Sequence, residues 1–148
     1  MTNEEVVRAY ARASVEADLE TLDRLRHSEW TVDWPQTGER VRGSQAFSSI
    51  VRMYPGGTPK AAVRRIIGSE DRWTITPANT VVRLAGEGEA WWGEWVMTYP
   101  DGTDWFCVDL LELRDGKVYR ETVYWAQPLP APEWRAQFVE PIGAEPQQ

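Results

Sequence analysis

The stretch EAWWGEWVMTYPDGTDWFCVDLLELRDGKVYRETVYW, Glu89 to Trp125, decides the fold. Asp101-Gly102 and Asp115-Gly116 each stand between alternating apolar runs, and Asp-Gly in that setting is the strongest short-range hairpin signal. The stretch therefore predicts three antiparallel strands, Glu89–Tyr99, Thr103–Arg114 and Lys117–Trp125. Upstream, Ala62–Gly68 reads as a strand and Arg72–Thr76 and Thr80–Ala85 as two shorter ones. Before them the period changes. Thr2-x-x-Glu5 forms a capping box ahead of Val6, Val7, Tyr10, Ala13 and Ser14 on one helical face. Asp18 caps a second helix edged by Leu19, Leu22 and Leu25, which His27-Ser28-Glu29 ends. Trp30–Trp34 reads as a strand broken by Pro35 and Gly38. Ser44 caps a third helix carrying Ala46, Phe47, Ile50, Val51 and Tyr54, and Pro55-Gly56-Gly57 stops it. Helices first and an antiparallel meander after make an α+β arrangement.

Composition narrows the function classes. The 148 residues suit a single domain, with 42% hydrophobic and 26% charged residues, an ordinary globular balance. A formal charge of -7, with Arg64-Arg65 as the longest basic run, argues against nucleic acid as a partner. No apolar stretch approaches the roughly 18 residues of a membrane span, and the acidic start Met1-Thr2-Asn3-Glu4-Glu5 is unlike a signal peptide, so a cytoplasmic location is expected. One cysteine excludes an intrachain disulfide and a multi-cysteine metal site. No metal cluster, phosphate loop or dinucleotide fingerprint is visible, so neither cofactor nor metal is expected. Nine tryptophans against three phenylalanines favour a cavity wall or an interface over a dry core. The last 21 residues, 128–148, hold five of the ten prolines together with Trp134, Phe138 and Val139, and read as a tail docked on the body and free only from Gly143 onward.

The element order, with Val6-Val7-Arg8-Ala9-Tyr10, Ala17-Asp18-Leu19, Thr31-Val32-Asp33-Trp34-Pro35, Gly43, and Val108-Asp109 through Asp115-Gly116-Lys117-Val118, resembles the nuclear transport factor 2-like (NTF2-like) fold. That superfamily includes ketosteroid isomerase and the SnoaL-like polyketide cyclases. The resemblance spans roughly residues 3–126 and implies one domain shaped as a cone, in which N-terminal helices pack on a curved antiparallel sheet around a ligand cavity. Within such a cone, strand alternation places Asp109 inward with Trp105, Cys107 and Leu111, and sends Phe106, Val108, Leu110 and Glu112 outward. Matching Lys117-Val118 to the family pattern turns Glu121, Val123 and Trp125 inward. The same matching turns Trp95 and Met97 inward, with Gly93 leaving room, and Val32 and Trp34 follow from the first strand. Two carboxylates among aromatic walls are costly to ionise, and a raised pKa equips them for acid–base work.

Tyr10 and Asp109 match the oxyanion-hole pair of ketosteroid isomerase, so the resemblance implies that both hydrogen-bond a carbonyl oxygen as it gains charge. The base of that enzyme falls where Trp34 stands, while Asp33 lies on the opposite face. Glu121 is therefore the candidate base. The arginine and second aspartate of limonene-epoxide-hydrolase-like relatives fall on Cys107 and Ala126, which removes that route. The expected function is a cofactor-independent acid–base enzyme acting on a small apolar carbonyl compound, by isomerisation or aldol-type cyclisation. Asp109, Tyr10 and Glu121 would carry the chemistry, and Trp34, Trp95, Met97, Trp105, Cys107, Val123 and Trp125 would line the substrate site. Two other readings stay open: a non-catalytic binder of a small hydrophobic ligand, and a partner-binding module. The plainer roles of Asp109 and Glu121, satisfied by Arg8, Arg12, His27 or a tyrosine, also stay open, as does a proton-shuttle role for His27. Trp91-Trp92 sets one indole on each sheet face, which favours a homodimer through the outer face.

Overall fold

A computed structural model describes residues 1–75 and 81–143, with side-chain detail outside 69–87. The chain begins with α1 (Asn3–Glu16), where Glu5 N donates to Thr2 Oγ1 at 3.2 Å and Thr2 N to Glu5 Oε2 at 2.7 Å, completing the capping box. Val6, Val7, Tyr10, Ala11 and Ala13 are its buried residues. Asp18 caps α2 (Leu19–Leu25) by accepting from Thr21 N at 3.1 Å. Then β1 (Arg26–Trp34) starts without a loop. His27, Ser28 and Glu29, read as the end of a helix, belong to this strand, in the irregular stretch between the Arg26 and Thr31 pairings with the last strand.

After a turn at Pro35–Gly38, β2 (Glu39–Arg42) folds back on β1, a strand the sequence reading did not anticipate. Gly43, at φ 83°, caps α3 (Ser44–Arg52) without a side-chain bond, so Ser44 opens the helix rather than capping it. Its hydroxyl instead accepts from Arg26 Nη1 at 3.3 Å. The four candidate strands before Asp101, two of them short, merge into two long ones, β3 (Lys60–Ile75) and β4 (Val81–Thr98). An irregularity between Ser69 and Asp71 falls where one strand reads as ending and the next as beginning, and another lies between Val63 and Arg65. Of the residues bounding those expected strands, Thr76 and Thr80 lie outside the described residues. Then follow β5 (Asp104–Arg114) and β6 (Lys117–Ala126), within a residue of expectation.

The sheet order is β2-β1-β6-β5-β4-β3. Every pair is antiparallel except β1 with β6, so the sheet is mixed rather than wholly antiparallel. The cause is topological: α3 and the long hairpins return the last strand beside the first, pointing the same way. Helix α1 packs against β3, β4 and β6, and the core between helices and sheet includes Val7, Trp30, Val32 and Val118, each at most 2% exposed.

The tail corrects an expectation. Residues 128–143 are exposed throughout, Trp134 and Phe138 at 75% each, so this segment does not dock on its own domain. Prolines at 128, 130 and 132 withdraw backbone donors and keep the approach extended. One 3-10 helix, Glu133–Phe138, then forms without burying a side chain. No helix of the described residues is long and apolar enough to cross a membrane.

Candidate active site

Between α1, α2, α3 and the concave side of the sheet lies a cavity of about 490 Å³, within the range that holds small molecules. Register sets its lining. Facing β4 and β5, Gly93 pairs with Asp109, Trp95 with Cys107 and Met97 with Trp105, all on the inner face. From β6, Glu121, Val123 and Trp125 line the same space, and Tyr10 joins from α1 and Trp34 from β1. Their alternating neighbours Phe106 and Leu110 lie outside, 44% and 36% exposed. The indoles of Trp34 and Trp125 meet edge to face at 5.7 Å, and Trp125 Nε1 donates to Met97 Sδ at 3.4 Å. Tyr99 bridges Trp105, 5.9 Å away, and Tyr54, 6.1 Å away, to form an aromatic rim.

The polar groups gather in one buried network. Glu121 is 6% exposed, and its Oε2 accepts from Tyr10 Oη at 3.1 Å and from Trp30 Nε1 at 3.0 Å. Tyr10 Oη in turn accepts from Arg26 Nε at 2.8 Å. Arg26, 5% exposed, stacks between aromatic faces, its Cζ 3.6 Å from the Trp30 ring centroid and 4.4 Å from that of Phe47. Arg26, not Arg8, Arg12 or His27, is thus the cation of the acid pair. Arg8 pairs with Glu4 on the exposed side of α1. His27 lies 3.7 Å from Asp115 and edge-on to Tyr119, away from the cavity lining.

Asp109 and Glu121 share a side-chain hydrogen bond, which two carboxyls can do only if one keeps a proton. The proton belongs to Asp109. Glu121 has donors in Tyr10 and Trp30 and the charge of Arg26 to support an anion, whereas Asp109 Oδ1 is buried and receives no other donor. Burial pushes the Asp109 carboxyl well above the usual carboxylate range, the Glu121 charge and the shared bond add to this, and Arg26 opposes it. Burial also raises Glu121, against Arg26, Tyr10, Asp109 and Trp30, which all favour its charged form. Asp109 is thus the member that holds its proton more firmly, and Glu121 the one whose charge Arg26 supports. Burial and the same two carboxyls push the Cys107 thiol up to about 12, which makes it a neutral wall residue rather than a nucleophile. Among the described residues no group of three or more His, Cys, Asp and Glu side chains converges on a metal position.

Sequence reasoning brought Tyr10, Asp109 and Glu121 to one cavity. There the Tyr10 hydroxyl donates to Glu121, the tyrosine partner that the sequence reading left open. Missed altogether were Arg26 and the role of Trp30. No local signal marked Arg26, because an irregular stretch between Arg26 and Thr31 breaks the alternation of β1 and leaves Ser28 exposed.

Residues 7–121 match the family model of the SnoaL-like domain. No curated protein matches the chain. Among solved structures, an NTF2-like protein of unknown function from Burkholderia xenovorans LB400 is similar at 31% identity over 95% of each chain, with a TM-score of 0.73. A candidate ketosteroid isomerase from Kribbella flavida DSM 17836 shares 24% identity over 99% of this chain and 93% of its own, TM-score 0.73. An LEH-like epoxide hydrolase from M. tuberculosis shares the fold at 16% identity, over 82% and 80% of the two chains, TM-score 0.57.

Proposed function

Since the chain belongs to the SnoaL-like domain family of NTF2-like proteins, we propose that it is a cofactor-independent acid–base enzyme acting on a small, apolar carbonyl compound, by isomerisation or aldol-type ring closure. The observation that carries this reading is the pair of buried carboxyls, Asp109 and Glu121, on the wall of an aromatic cavity, where burial opposes the ionisation of both. Asp109 delivers its proton to the ligand oxygen as charge develops there, and Glu121 exchanges protons with Asp109 so that the pair resets. Tyr10 and Arg26 hold Glu121 in its charged form. The four indoles Trp34, Trp95, Trp105 and Trp125 exclude water and pack on the ligand's apolar frame.

Incubation with a panel of cyclic and aromatic ketones in D2O tests this, with deuterium uptake next to the carbonyl read by NMR. The expected result is enzyme-dependent uptake for at least one compound that fits the cavity. A ligand that binds tightly while exchanging no faster than in buffer would overturn catalysis and leave a binding protein.

A second copy of the chain is proposed to cover the outer sheet face. Ile67, Trp92, Phe106, Leu110 and Tyr124 are there 36–47% exposed on four adjacent strands, more apolar surface in one place than a monomer ordinarily leaves wet. Trp92→Glu is expected to convert a dimer into a monomer in sedimentation velocity. A wild-type chain that sediments as a monomer at micromolar concentration would refute it.

A further inference from the structure

One buried donor in the cavity wall has no use in the network described so far. Trp95 is 7% exposed, and its Nε1 is shut off from solvent and bonded to nothing. A buried N–H left unmatched costs about 1–3 kcal/mol, so its position calls for an acceptor. The backbone register says which. Gly93 and Asp109 stand directly opposite each other on β4 and β5, and both face the cavity. Directly opposed residues keep their Cβ positions about 4.5–5.5 Å apart. The place where a Cβ of Gly93 would stand is occupied by Trp95 Nε1, with Trp95 Cδ1 and Cε2 at 3.3 and 3.4 Å from that point. The indole N–H therefore lies over the glycine that stands opposite Asp109, and Asp109 Oδ1 is itself buried without a donor. An indole N–H bonds an ionised carboxylate more strongly than a neutral carboxyl oxygen, so its pull on Asp109 grows once the proton has left.

We propose that Trp95 is the positioning residue of the acid pair: its indole N–H receives the Asp109 carboxylate once that group has given up its proton, with Gly93 kept bare so that the indole can lie there. This rests on the reading that Asp109 is the proton donor. In that step the O–H bond of Asp109 breaks, the proton passes to the ligand oxygen or to Glu121, and the indole keeps its own hydrogen. Glu121 has its donors in Tyr10 and Trp30, and Trp95 gives Asp109 a counterpart. The negative charge then has a supported position at either end of the pair. The other ionisable groups facing Asp109 are Tyr10 from α1, Arg26 from β1, Cys107 from its own strand and Glu121 from β6. Of these, Arg26 favours ionisation, while the charge of Glu121 opposes it.

The test uses the full chain with indole-15N tryptophan, and needs no substrate. The Trp95 N–H resonance, assigned by its loss in Trp95→Phe, is expected to move downfield with pH as the acid pair loses its proton, and to stay fixed in Asp109→Asn. Trp95→Phe, monitored through 13C-labelled carboxyls, is expected to leave on the order of tenfold fewer ionised pairs at a given pH. Gly93→Ala, which keeps the N–H and displaces the ring, should do the same. An indole signal indifferent to the titration, or either variant folded as judged by circular dichroism yet titrating like the wild type, overturns the proposal. None of these readouts depends on turnover. Failure of the ketone-exchange assay would thus cast doubt on the proposed reaction, whereas failure here would remove only the role of Trp95.

Discussion

Arg26→Ala is expected to destabilise the fold by about 3–5 kcal/mol at neutral pH, the cost of stranding a buried charge whose partner has been removed. The guanidinium does three things at once. It supports the Glu121 anion through Tyr10, fills the gap between the Trp30 and Phe47 rings, and donates to Ser44 at the head of α3. Without it, Glu121 sits 6% exposed and deprived of the cation that favours its charged form, and its proton affinity climbs further. A carboxyl with a folded-state pKa above its unfolded value makes stability fall as pH rises from the unfolded value towards the folded one. The deficit of the variant should therefore be small near pH 4 and widen towards pH 7, measured by urea unfolding at each pH. Combining Arg26→Met with Glu121→Gln should recover most of the loss, because removing both charges leaves no uncompensated ion and keeps an acceptor for Tyr10 and Trp30. A double variant no better than the single one would show that Arg26 acts through packing on the rings, with no electrostatic part.

Much of this architecture is legible in the sequence because the signals that specify it are local. Two Asp-Gly turns fix the β4-β5-β6 meander, and strict alternation along β5 separates Cys107, Asp109 and Leu111 from Phe106, Val108 and Leu110 without knowledge of the rest of the chain. The caps at Thr2 and Asp18 are local in the same way. What escaped depends on partners distant in sequence. His27-Ser28-Glu29 has no strand character of its own and is carried in β1 between Arg26 and Thr31, whose β6 partners lie more than eighty residues away. The tail misled for the converse reason: Trp134 and Phe138 are apolar enough to suggest docking, yet nothing local says on what. At the site, alternation delivered the two carboxyls but not their electrostatic partner. Which arginine meets a buried acid is decided by tertiary packing, and Arg26 was hidden in a segment read as the end of a helix.

Asp109→Asn should separate function from stability in opposite directions. If Asp109 hands its proton to the ligand, an amide cannot replace it, and deuterium exchange into a responsive ketone should fall by about 10²–10⁴-fold, the usual contribution of a positioned general acid. Stability should rise. Wild-type Asp109 has a folded-state pKa raised by burial and by Glu121, so its ionisation is disfavoured inside the fold and stability drains away as pH climbs above the unfolded carboxyl value. Asparagine does not titrate, and its NH2 can replace the bond to Glu121 that the acidic proton makes. The variant should therefore match the wild type near pH 4 and exceed it progressively at higher pH, by about 0.5–2 kcal/mol, the gain common when strain at a working site is relieved. Thermal melts across pH 4–9 read the difference. The two arms bear on different links. A flat stability difference with pH would mean that Asp109 is not the proton-holding member of the pair, and the acid role would pass to Glu121. Unchanged exchange alongside the predicted stability curve would mean that the raised acid is structural, a feature of how the cavity is closed rather than of what happens inside it.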